Sequence, residues 1–82
     1  MYNVQFSNGG GSMKIEVEIS SVSWEKAYLI IGYGNLAFRD VRVVDNETGE
    51  VAYNRYVSDC LFEAESTIES VLKAIHQIVE DM

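Results

Sequence analysis

Between residues 13 and 20 the sequence MKIEVEIS alternates without exception, setting Met13, Ile15, Val17 and Ile19 against Lys14, Glu16, Glu18 and Ser20. A period of two puts every apolar side chain on one face of a strand and every polar one on the other, which a helix of 3.6 residues per turn cannot do. A chain holding such a segment must supply it with strand partners and a dry layer against one face. Residues 2–7 alternate in the same way, with Tyr2, Val4 and Phe6 against Asn3, Gln5 and Ser7. Asn8-Gly9-Gly10-Gly11-Ser12 between the two reads as a flexible loop. Two readings of this start stand side by side. It is a wide hairpin with the first strand at the sheet edge, or residues 1–12 are a dispensable extension ahead of a translation start at Met13.

Further strands are expected downstream. Residues 24–33, WEKAYLIIGY, are rich in aromatic and β-branched side chains, and from Ala27 onward both faces are apolar. That reads as a central strand covered on both sides, with Tyr28 in the core, broken by Gly32, Gly34 and Asn35. Residues 38–45 and 50–57 flank Asn46-Glu47-Thr48-Gly49, a hairpin signal in which Asp45 accepts loop amides and Gly49 takes positive φ. A four-residue loop pairs Val44 with Val51, Arg42 with Tyr53 and Asp40 with Arg55, and sets Tyr56 across from Arg39.

The period then changes. Ile68, Val71, Leu72, Ile75, Ile78 and Val79 fall on one face at helical spacing. Ser66-Thr67-Ile68-Glu69 has the form of a capping box, which predicts a helix over residues 67–81. The expected architecture is α+β, a small antiparallel sheet of about five strands with one C-terminal helix packed across a face. One helix covers one face only. The second face, carrying side chains of residues 27–33 with Val41 and Val43, then needs sheet curvature, the N-terminal strand, a second copy or another protein to cover it.

Composition bounds the class. With 82 residues, 48% of them hydrophobic and none proline, the chain makes one globular domain over residues 1–82. No apolar run approaches the ~18 residues of a membrane span, and the first residues lack the basic start and apolar core of a signal peptide. Cys60 is the single cysteine and has no internal disulfide partner. These features predict a soluble protein of a reducing cytoplasm, with no membrane partner. The net charge of −7 argues against a broad nucleic-acid surface.

Motifs for chemistry fail one by one. Gly32-Tyr33-Gly34-Asn35-Leu36-Ala37 matches a dinucleotide fingerprint in letters, but the chain is too short for the doubly wound sheet that makes such a site. Cys60 has acidic neighbours, Asp59 and Glu63, which disfavour a thiolate, and is read as a small buried apolar residue. The only histidine, His76, falls at the edge of the helical stripe and reads as solvated. Glu63, Glu65 and Glu69 lie close in sequence without the spacing of a metal loop. No catalytic residue, cofactor or metal is expected, and no enzyme.

Charge and aromatics remain. Residues 1–41 hold four acids and three bases, and residues 42–82 hold nine acids and three bases. Asp45, Glu47, Glu50, Asp59, Glu63, Glu65 and Glu69 span the hairpin tip and the start of the helix. They form one acidic face if those two places share an end of the sheet, and two separate clusters if they do not. Tyr33 and Tyr56 are the exposed aromatic candidates for a protein contact. In size, acidity and strand content the chain resembles the small acidic proteins of phages and mobile elements, which bind and block host proteins, some by imitating nucleic-acid charge. The resemblance implies an acidic inhibitor or adaptor for a basic host protein. The competing expectations are a self-associating structural subunit, with a homodimer through an apolar sheet face, and an antitoxin-like partner.

Overall fold

The computed structural model describes residues 1–8, 15–56 and 65–81, with residues 65–67 in backbone only. Six elements follow in order: β1 (Tyr2–Asn8), β2 (Ile15–Val22), α1 (Trp24–Ala37), β3 (Asp40–Asp45), β4 (Val51–Tyr56) and α2 (Glu65–Glu80). The class is α+β as expected, with a four-stranded antiparallel sheet and two helices among the described residues. The strand order is β2-β1-β3-β4, so β1 is an inner strand rather than the expected edge strand.

The largest correction is α1, where a central strand was expected. Ser23 supplies its N-cap, accepting a hydrogen bond from the Lys26 amide, and Glu25 sits in the first turn. Fourteen residues make a long strand but an ordinary helix. Apolar residues all round the helix erase the 3.6 period, so its sequence carries no stripe. Gly32, Gly34 and Asn35 lie inside it rather than ending it, and the dinucleotide-like letters are a stretch of helix.

Paired positions give the sheet two distinct faces. On the inner face, Val17, Phe6 and Val41 form one row with Arg55, and Ile19, Val4 and Val43 form the next with Tyr53. On the outer face, Glu16, Ser7 and Asp40 lie in line with Tyr56, and Glu18, Gln5 and Arg42 with Asn54. The outer face is polar, so the expected second apolar sheet face does not exist. Residues 27–33, expected to supply it, are helical, and Val41 and Val43 lie on the inner face.

Two irregularities set the register. Tyr2 pairs with Val22 but Val4 with Ile19, and Ser21 takes φ of 59° in the extra length. This bulge carries the chain past a polar pair and returns Val22 to the core. In the β3–β4 hairpin Val44 pairs with Val51 as expected, but a shift there sets Val43 opposite Tyr53 and Asp40 opposite Tyr56. Arg42 therefore faces Asn54, and the expected Asp40–Arg55 pair is absent. Arg55 lies on the inner face, where its Nη1 donates to Asn35 Oδ1 at 3.0 Å. The tip itself forms as expected, with Gly49 at φ 78°.

The core lies between the inner face and the helices. Val4, Phe6, Val41 and Val43 from the sheet meet Ile30, Phe38 and Ile75, all fully buried or nearly so. Phe6 and Phe38 stack at a centroid distance of 5.1 Å. Asn8 is the buried polar residue. Its Nδ2 donates to the Ala37 carbonyl and its Oδ1 accepts from the Arg39 amide, so it clasps the chain where α1 ends. α2 buries Ile68, Val71 and Ile75 with Leu72, Ile78 and Val79 partly covered, as its stripe predicts. It begins at Glu65, which places Ser66 inside the helix rather than at its cap.

Candidate functional site

The expected acidic face depends on which way α2 runs. Lys26, in the first turn of α1, donates from Nζ to the carbonyls of Ile78 and Asp81 at 2.5 and 2.7 Å. The start of α1 therefore meets the end of α2, and the two helices are antiparallel. Tyr2 pairs with both Val22 and Asp45, so the hairpin tip shares its end of the sheet with the start of α1. Glu65 and Glu69 belong to the far half of α2, roughly 23 and 17 Å from Glu80 at 1.5 Å per residue. The structure thus separates Asp45, Glu47 and Glu50 from Glu65 and Glu69. Asp59 and Glu63, like Cys60, fall outside the described residues.

What joins the hairpin tip instead is Glu25 from α1 and Glu80 and Asp81 from α2, giving that end six carboxylates. Asp45 is partly committed to the loop, where its Oδ1 accepts from the Glu47 amide at 2.9 Å. Glu47 and Glu50 are exposed. Lys26 is the base at this end, and its charge is directed into the carbonyls of α2.

The aromatic candidates divide. Tyr56 is exposed on edge strand β4. Tyr33 is exposed on α1 and does not stand alone. Tyr28, expected in the core, is 70% exposed, and Leu29, Tyr33 and Leu36 are 54%, 42% and 49% exposed. All four project from the side of α1 opposite Ala27, Ile30, Ile31, Gly34 and Ala37, which are buried. The helix is apolar on both sides, but the described residues cover only one.

Two glycines of α1 mark the contrast between those sides. A Cβ on Gly34 would overlap the Phe6 ring, so glycine there is required by close packing on β1. Gly32 is exposed, and a Cβ on it would meet nothing within 4 Å. Glycine in a helix interior costs about 1 kcal/mol relative to alanine. Nothing among the described residues accounts for that cost at Gly32, which sits between Tyr28 and Leu36 on the uncovered side.

The other surfaces are less specific. An open depression of about 480 Å³ lies on the polar sheet face, lined by Gln5, Ser7, Glu16, Glu18, Asp40 and Arg42 among others. Within it Gln5 Nε2 donates to Glu18 Oε2 at 2.8 Å, while Asp40 Oδ1 is buried without a hydrogen-bond partner among the described residues. Among the described residues no group of three or more His, Cys, Asp or Glu side chains could hold a metal ion. No described helix is long and apolar enough to cross a membrane. His76 is exposed on α2 as expected.

The chain matches no known protein family, no curated protein and no solved structure. The class defined by its fold is a small α+β protein with two antiparallel helices on one side of a four-stranded antiparallel sheet.

Proposed function

We propose that the protein is a non-enzymatic protein-binding module of the adaptor or inhibitor type. Its contact surface is the uncovered face of α1, and its acidic end steers a basic partner protein. The observation that carries this reading is the exposure of Tyr28, Leu29, Tyr33 and Leu36 on one helix face. The largest contiguous apolar patch on a small protein is often a functional contact surface. Aromatic residues are the side chains most often found at the centre of such contacts.

The acidic end acts at longer range. Six carboxylates on the hairpin tip and helix ends give a negative potential that speeds encounter with a basic surface and weakens as salt is added. Tyr33 keeps its place in the reading, whereas Glu65 and Glu69 do not belong to this surface. The test compares two double variants for binding to a protein recovered with the tagged chain from its native host. Tyr28→Glu with Leu36→Glu is expected to abolish retention at all salt concentrations. Glu47→Lys with Glu50→Lys is expected to slow association mainly at low salt. Full retention by the first variant would refute the α1 surface.

A further inference from the structure

We propose that a second copy of this chain occupies the outward face of α1, in an isologous dimer whose two α1 helices cross antiparallel at Gly32. The inference rests on the reading of α1 as a contact surface and names what fills it. Tyr28, Gly32 and Leu36 are spaced four residues apart and form one ridge along the helix, with its gap at the centre. Ridges of this spacing pack into one another when helices cross at about −50°. A glycine at the crossing point lets the two backbones approach, which assigns a use to a residue whose missing side chain nothing among the described residues requires. The pattern is also self-complementary, because a large apolar residue stands four positions to either side of the gap. An isologous contact demands that property, and a contact with an unrelated protein does not.

Charge decides the direction. From Ala27 to Phe38 the chain has no Asp, Glu, Lys, Arg or His. Two molecules of net charge −7 therefore meet on this face without opposing like charges across it. The acidic end, with Glu25, Glu47, Glu50 and Glu80, lies at the start of α1. A parallel crossing brings the two acidic ends side by side. An antiparallel crossing sets Tyr28 against Leu36 of the second copy and sends the acidic ends to opposite extremes of the dimer. Each end then stays free to attract a basic partner, which competes with the second copy for the α1 face. The four large side chains with Gly32 offer on the order of 500 Å² per copy, the lower range of specific interfaces, so the dimer is expected to dissociate on dilution.

Sedimentation of the purified full-length chain across a wide concentration range tests this. The wild type is expected to move from monomer to dimer as concentration rises. Association should hold or strengthen with added salt, because salt screens repulsion between the acidic ends. Gly32→Ala is expected to melt at a higher temperature than wild type at a concentration where both are monomeric, yet to dimerise about tenfold more weakly. Gly32→Leu and Tyr28→Glu should sediment as monomers, with circular dichroism reporting that each is folded. A wild type that remains a 9.2 kDa monomer at the highest concentration overturns the second copy. It leaves the α1 face open to another protein, which the retention experiment above tests separately. A dimer that survives Gly32→Leu and Tyr28→Glu overturns the α1 crossing.

Discussion

α1 and α2 are of similar length, 14 and 16 residues, and lie side by side on the same core, but they are built on opposite plans. α2 is amphipathic. Its apolar residues are buried or partly buried, and its exposed positions carry Glu69, Lys73, His76, Gln77 and Glu80. α1 presents Ala27, Ile30, Ile31 and Ala37 to the sheet and Tyr28, Leu29, Tyr33 and Leu36 to solvent. A helix that only stabilises a domain needs one apolar stripe. α2 meets that need and stops there. The exposed apolar excess on α1 is what the proposed contact surface rests on, and α2 has no counterpart among its described side chains.

The most severe test of the comparison removes the platform that the helices share. β1 contributes Val4 and Phe6 to the core and pairs with strands on both sides. Deleting residues 1–12 is expected to abolish cooperative thermal unfolding, because no other strand can join β2 to β3. A deleted chain that melts like wild type would mean that neither helix depends on β1.

Next come the buried positions, where the helices should behave alike. Ile30 and Ile75 are each fully buried. Ile30→Ala and Ile75→Ala are each expected to cost roughly 2–5 kcal/mol in urea unfolding, from lost transfer energy and the cavity left behind. A cost at Ile30 far below that at Ile75 would show that α1 is not anchored by its inner side and would blur the distinction between its two faces.

These positions also explain what could be read without coordinates. The stripe from Ile68 to Val79 and the alternation of β1 and β2 each report one dry face, so periodicity finds them. The β3–β4 turn was equally legible because Asp45 and Gly49 have local roles. α1 was not legible by periodicity, since a helix dry on one side and sticky on the other has the same letters as a doubly covered strand. Its usable signals were local: Ser23 three residues before Lys26, Glu25 in the first turn, and an apolar run too long for a typical strand. The misplaced strand then generated the false apolar sheet face. The direction of α2 decides whether the carboxylates converge, and no local pattern reports it. It follows from packing, through Lys26 and the two carbonyls it reaches.

Within α1 the two glycines sharpen the contrast. Gly34→Ala inserts a methyl into the Phe6 ring and is expected to destabilise the protein by about 1–3 kcal/mol, since the ring is fully enclosed by its neighbours. The outward Gly32 has no such obstacle, so the same substitution has the opposite sign there. Chemical denaturation of the two variants at low protein concentration measures both. Equal destabilisation would mean that Gly32 has a role inside the monomer.

The smallest expected effect concerns the link between the helices. α2 has no basic residue in its last turn, and its terminal carbonyls have no partner within the helix. Lys26 supplies one from α1, placing its ammonium against the negative end of the α2 dipole. Lys26→Met keeps most of the aliphatic stem and removes the charge and the donors. The contact is partly solvated, so screening reduces its worth, and the expected loss is about 1 kcal/mol. It should shrink as salt rises, because part of it is electrostatic. Global stability alone would not separate this from a generic surface effect. Amide exchange does: the last-turn amides of α2 should lose protection in Lys26→Met while the interior of α1 keeps its own. If α2 exchanges as in wild type, the lysine is not what holds its end, and the antiparallel pairing must rest on the apolar stripe alone.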